Sequence, residues 1–359
     1  MNNLTLGDSN ICGTFNKLPF IESYYNRKGI LLKSYSWLVK NAIGIIVLVH
    51  GLSAHLRLQY LKLNVNVVNN DYATLIDADN YYIYEDSWIE EFNKNGYSVY
   101  GIDLQGHGES DGLDKLPLHI NNFDDYVYDI IDYMRRINNS IVLEKSMQKS
   151  TSNKYTIENR EELLPMYLVG LSMGGNIVLR TLEILGKSNE INSNLNIKGC
   201  ISLAGMISVR MVGSIDSIKY KYFYLPVMKI FSRYFPTFRP GKKKFKFEKY
   251  PFVNDLLFYD KYRFKGRITN NLAREILVAL DNLHNNIDDI PKNIPILFIH
   301  SINDCLCWYE GTVSFYNKLL IDNKELYTLE DMDHVISMEP GNENVLKKIL
   351  EWISNLYVQ

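Results

Sequence analysis

The sequence predicts an α/β fold: a doubly wound, mostly parallel sheet with an inserted helical cap. Short apolar runs typical of buried strands alternate along the chain with segments of helical periodicity. A G-x-S-x-G motif at residues 170–174 lies between one such strand and one such helix. The length of 359 residues and the hydrophobic content of 46% provide enough core for one large domain with an insertion.

The first part of the chain predicts an edge hairpin followed by the central strands of the sheet. The hairpin is expected within residues 1–40, with the alternating run Ile30–Trp37 as its second strand. The continuous apolar run Ala42–His50 indicates a buried parallel strand. Residues 64–80 are rich in Asn and Asp and are expected to belong to a long loop-and-helix elaboration. Next come a predicted helix at Asp86–Asn95 and a strand at Tyr97–Ile102.

The alternation continues in the second part of the chain. Apolar residues at helical spacing predict a helix at Asn122–Ile137, and the polar residues 138–160 are expected to form a mobile surface insertion within the core. The strand Met166–Val169 and the helix Asn176–Leu185 flank the G-x-S-x-G motif. Further strands are predicted at Ile197–Ala204, Ile294–His300 and Glu325–Leu329, and a closing amphipathic helix at Glu343–Leu356.

Residues 205–271 interrupt this alternation and are predicted to form the cap. Residues 1–204 and 272–359 then form the core. The cap contains a stretch crowded with aromatic and aliphatic residues, Tyr220–Phe238, which suits an apolar tunnel for an acyl chain.

Positive charge concentrates in the same cap. From Arg210 to Arg267 there are 15 Lys or Arg and four acids, whereas the whole chain has a net charge of −2. Such a surface would contact an anionic membrane through Lys242, Lys243 and Lys244. A basic run of this kind is equally typical of a solvated loop, so both interpretations stay open.

Composition excludes several classes of protein. The four cysteines are too few for a disulfide scaffold, and Cys305 and Cys307 lack the second pair that a zinc site needs. The N-terminus has no apolar stretch typical of a signal peptide, and the apolar run 43–49 is too short to span a bilayer. We expect a cytoplasmic protein, in solution or peripheral to membranes, with no cofactor, no metal and no nucleic-acid partner.

The G-x-S-x-G motif predicts a nucleophile on a sharp strand-to-helix turn. Gly170 and Gly174 give such a turn room, because a Cβ at either position would contact the neighbouring strand or helix. The turn exposes the Ser172 hydroxyl at the carboxyl edge of the sheet. There the backbone N–H of Met173 is placed to stabilise an oxyanion.

A serine nucleophile needs a base, and the base needs an orienting acid. In this type of fold the acid follows a strand after the cap and the base follows the last strand, which selects Asp304 and His334. Asp333 is adjacent to His334 and is therefore expected to point away from it. Asp331 and Glu330 are weaker candidates for the acid. The other histidines are weaker candidates for the base, because His300 is expected at a strand end and His284 and His119 at the surface.

The second oxyanion donor is expected in the loop His50-Gly51-Leu52. Gly51 lets the backbone approach closely, and Leu52 is the expected donor, with Ser53 as the alternative. Another glycine-rich stretch, residues 106–112, has the spacing G-x-G-x-x-x-G and opens no helix. It therefore does not fit a dinucleotide-binding loop.

These motifs together resemble the α/β-hydrolase family of lysophospholipases and monoacylglycerol lipases. The resemblance rests on HG at residues 50–51, His55, D-x-x-G-H-G-x-S at 103–110, G-L-S-M-G-G at 170–175, Asp304, and H-x-x-x-x-E at 334–339. H-G-L-S-A-H-L-R at 50–57 and D-S-W at 86–88 are similar to the malaria-parasite lysophospholipase-like branch, which includes a prodrug-activating esterase. The resemblance implies a helical cap over a Ser-Asp-His site.

Three functions are compatible with these features. The first is hydrolysis of a lysophospholipid or monoacylglycerol through an acyl-enzyme intermediate. The second is a carboxylesterase activity on small soluble or xenobiotic esters, and the third is lipid binding without catalysis. Dependence of activity on acyl-chain length separates the first two, and labelling by a fluorophosphonate separates both from the third.

Overall fold

The computed structural model describes residues 17–150, 163–188, 195–211, 220–241 and 246–356. Within these residues, eight strands form one sheet in the order β1-β2-β8-β3-β9-β10-β11-β12. β1 and β2 pair in antiparallel fashion, as do β2 and β8, and every later pair is parallel. The strands are β1 Phe20–Tyr25, β2 Leu31–Trp37, β3 Gly44–Val49, β4 Lys62–Leu63, β5 Val65–Val67, β6 Ala73–Leu75, β7 Tyr82–Ile83, β8 Tyr97–Asp103, β9 Met166–Leu171, β10 Ile197–Leu203, β11 Ile296–Ser301 and β12 Lys324–Leu329.

Helices cover both faces of this sheet, as the sequence predicts. They are α1 Leu56–Tyr60, α2 Trp88–Lys94, α3 Asp124–Ser150, α4 Met173–Lys187, α5 Leu225–Tyr234, α6 Phe252–Tyr259, α7 Asn270–Asn285, α8 Tyr309–Lys318 and α9 Asn342–Asn355. The α/β-hydrolase fold with a mostly parallel sheet is therefore confirmed. No helix among the described residues is both long enough and apolar enough to cross a membrane.

The central strand β3 is apolar throughout because both of its faces are covered. In β3, Ile45, Val47 and Val49 join the core cluster under α3, α4, α7 and α8. Ile46 and Leu48, which alternate with them, join the cluster under α1, α2 and α9. A strand buried on both sides loses the polar alternation of an exposed sheet, which explains the continuous apolar run.

The order of the strands brings two loops together. β3 lies between β8 and β9, so the chain moves to one side of β3 first and later to the other. In such sheets, ligands bind at the carboxyl ends of the strands where the order reverses. The loops after β3 and β9 meet at this point, and they carry His50-Gly51-Leu52 and Ser172.

Two sequence expectations are wrong in detail. Residues 64–80 contain the small antiparallel sheet of β5 with β6 instead of a loop and helix, and a second small sheet, β4 with β7, pairs the residues on either side of them. The helix predicted at Asn122–Ile137 continues to Ser150, so the first half of the predicted polar insertion at 138–160 is helical. This polar run contains no Gly or Pro, and its Glu, Lys and Gln residues favour a helix. Residues 151–162 lie outside the described residues.

The segment predicted as a cap contains α5 and α6. Aromatic side chains of its first part are more than half exposed, so they do not line a closed tunnel; they are Tyr222, Phe223, Phe231, Tyr234, Phe235 and Phe238. Lys242, Lys243 and Lys244 lie outside the described residues. The division of the chain into a core and a cap at residues 205–271 stays a prediction.

Candidate active site

Ser172 lies on a turn with no intervening loop. β9 ends at Leu171 and α4 begins at Met173, three residues before the predicted start of that helix. Ser172 has φ 58° and ψ −116°, a conformation that costs a non-glycine residue roughly 1–3 kcal/mol. The surrounding strand and helix hold this strained backbone and expose the hydroxyl.

The two glycines of the motif are required by close packing. A Cβ on Gly170 would lie 2.1 Å from the carbonyl oxygen of Gly174. A Cβ on Gly174 would lie 2.2 Å from the carbonyl oxygen of Val49, on the neighbouring strand. Both distances are far below a van der Waals contact and the obstacle is backbone, so only glycine fits either position.

Three side chains that are distant in sequence form one chain of hydrogen bonds. Ser172 Oγ lies 2.8 Å from His334 Nε2, and His334 Nδ1 lies 2.8 Å from Asp304 Oδ2. Asp304 follows β11 and His334 follows β12, so all three residues come from loops at the carboxyl edge of the sheet. The structure therefore brings together the three residues that the sequence selects as nucleophile, base and acid.

Asp304 is fully buried and all its oxygens face donors. Oδ1 accepts the backbone N–H groups of Leu306 and Cys307, both at 2.8 Å, while Oδ2 faces His334. His300 Nε2 also lies 3.2 Å from Oδ2, which gives this strand-end residue a place at the site. Burial raises the pKa of Asp304, but the charges and hydrogen bonds of His334 and His300 outweigh it and hold that pKa below its usual range.

His334 is held from three sides. Burial lowers its pKa, but the charge and hydrogen bond of Asp304 outweigh burial and raise the pKa above 6.5. Glu339 accepts the N–H groups of Asp333 and Val335, at 2.6 and 2.7 Å, and so fixes the backbone on both sides of the histidine. The ring of Phe247 is nearly parallel to the imidazole, at 6.5 Å between centroids and 7° between planes.

The competing acids are engaged elsewhere or lie at the surface. Asp333 Oδ1 accepts the backbone N–H of Cys305 at 2.9 Å, which agrees with the expectation that it points away from His334. Glu330 and Asp331 are exposed.

The two histidines expected at the surface are not fully exposed. His119 is buried, and its Nδ1 lies 3.1 Å from Thr269 Oγ1, so the expectation of a surface residue is wrong. His284 is half-buried, with Nε2 3.2 Å from the carbonyl oxygen of Ile207.

The loop after β3 packs directly against the serine turn. A Cβ on Gly51 would lie 3.0 Å from the Cβ of Ser172. The Gly51 N–H donates to Gln59 Oε1 at 2.7 Å, so it is not available to an oxyanion, and Leu52 and Ser53 remain as candidate donors. Met173 N–H is the first of α4 and has no acceptor within the helix.

A neutral histidine fixes the shape of this loop. His50 Nε2 accepts the backbone N–H of Leu104 at 2.9 Å, so Nδ1 carries the proton and donates to the Gly51 carbonyl at 2.8 Å. Complete burial lowers the pKa of His50 to about 3. The imidazole is therefore neutral at every pH at which the protein is expected to work.

A buried hydrogen bond links the same loop to the segment predicted as a cap. His55 Nε2 lies 3.0 Å from Asp260 Oδ2, and both side chains are fully buried. Tyr82 donates its hydroxyl to the same carboxylate oxygen at 2.8 Å. Asp260 Oδ1 accepts the N–H groups of Tyr262 and Arg263. Every oxygen of this buried carboxylate thus has a donor, as a buried charge requires.

The sequence did not predict two neighbours of His334. They are Phe247, which stacks on the imidazole, and the buried Cys307. Ligand atoms of Asp304, Cys307 and His334 lie within 4.8 Å of one another, a grouping that is also compatible with a metal ion. The same carboxylate and imidazole atoms already bind each other, so a metal there would break the hydrogen bonds to Ser172 and Asp304.

Comparison with models of known protein families assigns the chain to one of them. The family of serine aminopeptidases, S33, a hydrolase family, matches residues 78–341. The chain belongs to this family. The match includes the serine turn and the loops of Asp304 and His334. No curated protein sequence matches the chain.

Solved structures share the fold across almost the whole chain. A monoglyceride lipase from Saccharomyces cerevisiae, in complex with a substrate analog, superposes with a TM-score of 0.65 at 16% identity, covering 95% of this chain and 96% of that chain. The monoacylglycerol lipase of Paleococcus ferrophilus gives a TM-score of 0.58 at 19% identity, covering 94% and 99%. The α/β hydrolase GrgF from Penicillium sp. sh18 gives 0.59 at 14%, covering 95% and 99%. At these identities the likeness shows the fold.

Proposed function

We propose that the protein is a serine hydrolase that cleaves carboxylic esters of single-chain acyl lipids, either lysophospholipids or monoacylglycerols. The observation that carries the proposal is the unbroken line of hydrogen bonds from Ser172 through His334 to Asp304, on a strained turn that presents the hydroxyl. A serine is a weak nucleophile unless a base takes its proton, and this line supplies the base and its orienting acid.

In the proposed reaction, Ser172 Oγ attacks the ester carbonyl while its proton moves to His334 Nε2. Asp304 keeps the other imidazole proton on Nδ1 and stabilises the imidazolium. The N–H groups of Met173 and Leu52 stabilise the oxyanion of the tetrahedral intermediate. His334 then protonates the departing alcohol, and a water molecule, activated by the same histidine, hydrolyses the acyl-enzyme.

An apolar band beside the triad supports an acyl-chain substrate. Phe247, which stacks on His334, belongs to a buried apolar cluster with Val335 and residues of α6. A second cluster around Leu58 lies next to the loop after β3. The two clusters share four partly buried side chains, which still present apolar surface; they are Leu63, Val65, Leu257 and Met338. Burial of each methylene of an acyl chain on such a surface contributes about 0.8 kcal/mol.

Sequence motifs support a more specific assignment. We propose that the chain is a member of the lysophospholipase-like branch of malaria parasites, because it resembles that branch in H-G-L-S-A-H-L-R at residues 50–57 and D-S-W at 86–88. Trp88 of the second motif donates to Asn342 at 2.9 Å and so joins α2 to α9. The assignment makes lysophospholipids the first substrates to test and prodrug esters the second.

The experiment is a substrate panel with the purified full chain. It compares p-nitrophenyl esters from acetate to palmitate, monooleoylglycerol, lysophosphatidylcholine and leucine p-nitroanilide, the last because the family is described by its aminopeptidases. We expect kcat/KM to rise with acyl length and the anilide to remain uncleaved. A maximum at acetate would show a small-ester carboxylesterase instead, and preferred cleavage of the anilide would show an aminopeptidase.

Ser172→Ala is the matched control for this panel. It removes one oxygen and is expected to abolish both turnover and labelling by a fluorophosphonate, with an unchanged melting temperature. Activity that persists in Ser172→Ala would contradict the assignment of the nucleophile. A wild-type chain that neither turns over any ester nor reacts with the fluorophosphonate would contradict the proposed hydrolase and favour the third function, lipid binding without catalysis.

A further inference from the structure

A cavity lies away from Ser172, between the glycine-rich loop after β8 and the residues before α7. Its volume is about 490 Å³. One wall is formed by the loop at residues 106–117 and the other by residues 261–265. None of the residues that form the Ser172–His334–Asp304 line contributes to it, so it is distinct from the candidate active site.

The walls of this cavity are strongly basic. Four cationic side chains line it, Lys115, Lys261, Arg263 and Lys265, against a single carboxylate, Asp111. Asp111 forms an ion pair with Lys115. The other three cations have no ion pair among the residues that the structure describes, and they line the same side of one open cavity, so their positive charges add there.

Arg263 is the least compensated of these groups. Its Nε is buried and makes no hydrogen bond to the described residues. Burial lowers the pKa of the guanidinium, and only the charge of Asp260 opposes this effect. Asp260 is already bonded through its side chain to His55 and Tyr82. Arg263 is half-buried, and a guanidinium whose Nε has lost water without gaining an acceptor favours the binding of an anion.

The two lysines of the same wall rest on aromatic rings instead of carboxylates. Lys261 Nζ lies 5.1 Å from the centroid of Tyr262, and Lys265 Nζ lies 4.9 Å from that of Phe258. A ring face attracts an ammonium group without neutralising its charge. Both lysines therefore keep their charge available at the cavity, on either side of Arg263 in the sequence.

We infer that this cavity binds a phosphate group carried by a larger molecule. A guanidinium fork flanked by lysines matches the several oxygens and the double charge of a phosphate, and Gly106, Gly108 and Gly112 leave the opposite wall without side chains there. The volume lies within the range of small-molecule sites, roughly 300–1,000 Å³, and exceeds what inorganic phosphate fills. A phosphorylated metabolite and a phospholipid headgroup share this chemistry.

The inference is independent of the proposed ester hydrolysis, so its test measures binding. The full chain is titrated with glycerol 3-phosphate and with inorganic phosphate by calorimetry, at constant ionic strength set with chloride. In parallel it is sedimented with phosphatidylcholine vesicles that contain or lack phosphatidate. Saturable binding of the soluble phosphates identifies a free phosphorylated molecule, and binding confined to phosphatidate vesicles identifies a lipid headgroup.

Variants distinguish phosphate binding in this cavity from a general attraction of anions to positive charge on the protein. Arg263→Gln and the double variant Lys261→Gln/Lys265→Gln are each expected to weaken phosphate binding about tenfold or more, since each removes a charge-assisted contact. The control Lys40→Gln/Lys347→Gln removes two charges from exposed positions elsewhere and is expected to bind as the wild type does. The lysine variant changes exposed side chains only, so it remains informative if Arg263→Gln does not fold.

Two results overturn the inference. One is a wild-type chain that binds neither the soluble phosphates nor phosphatidate vesicles more tightly than chloride or phosphatidylcholine. The other is binding that the cavity variants and the control variant weaken equally, which would show a general attraction to a basic surface.

Discussion

The exchange of Asp304 for Asn changes one atom at the centre of the candidate site. Asp304 Oδ1 accepts hydrogen bonds from the backbone N–H groups of Leu306 and Cys307, at 2.8 Å each. Oδ2 accepts a hydrogen bond from the N–H at His334 Nδ1. An asparagine must keep its carbonyl oxygen towards the two backbone donors, because turning the amide would place its NH₂ against them. Its NH₂ therefore faces His334.

The imidazole then has to change its tautomer. With an NH₂ donor in front of Nδ1, the stable form of His334 carries its proton on Nε2, which faces Ser172. That nitrogen is no longer a base. In serine proteases, the corresponding change lowers kcat about 10⁴-fold, which equals about 5 kcal/mol of transition-state stabilisation. We expect a loss of this order here, because the two backbone donors prevent the amide from turning.

The assay is the steady-state hydrolysis of a short p-nitrophenyl ester, together with the rate of fluorophosphonate labelling. Asp333→Asn is the matched control, since it makes the same chemical change one residue from the base, at a carboxylate that accepts the backbone N–H of Cys305. We expect the control to stay within about tenfold of the wild type. Equal losses in the two variants, or an Asp304→Asn variant within tenfold of wild type, would refute the assignment of the acid.

Three further outcomes follow from the site. Burial lowers the pKa of His334 but Asp304 raises it more, so kcat/KM should increase with pH through a single titration above 6.5, and a flat profile from pH 5 to 8 would exclude His334 as the base. Glu339→Gln leaves one acceptor oxygen for the two backbone N–H groups of Asp333 and Val335, so kcat should fall roughly ten- to hundredfold with little change in KM. An unchanged kcat would show that the loop around His334 keeps its conformation without Glu339. In Gly174→Ala the new Cβ clashes with the Val49 carbonyl oxygen, so the free energy of unfolding should fall by at least about 3 kcal/mol. Gly29→Ala adds a Cβ in open space at positive φ, and it should lower the free energy of unfolding by roughly 1–2 kcal/mol. Calorimetric melting of the two variants compares these losses.

Most of the fold was predictable because its signals are local. The strands β3 and β9 are uninterrupted apolar runs, β10 and β11 are mostly apolar, and α4 and α9 have clear helical spacing, so the parallel sheet follows from the sequence. The errors fall where local signals are weak. β4 and β7 contain two residues each, too few for a pattern, and they exist only because they pair with each other.

The site was predictable for the same reason, up to the residues that act through tertiary contacts. Ser172, Asp304 and His334 each follow a strand, so chain order selects them. Phe247 carries no motif and comes to His334 only through the folding of the segment between β10 and β11. His119 was expected at the surface, because nothing in the local sequence shows that Thr269 covers it.

The buried contact between His55 and Asp260 also has a consequence during synthesis of the chain. The two residues are 205 positions apart. A ribosome that adds roughly 5–20 residues per second needs about 10–40 s to cover that distance. Throughout this interval, the loop that carries Leu52 has emerged while its anchor does not yet exist. His334 follows later still, so a nascent chain holds its nucleophile well before the rest of the site and acquires any hydrolytic competence last.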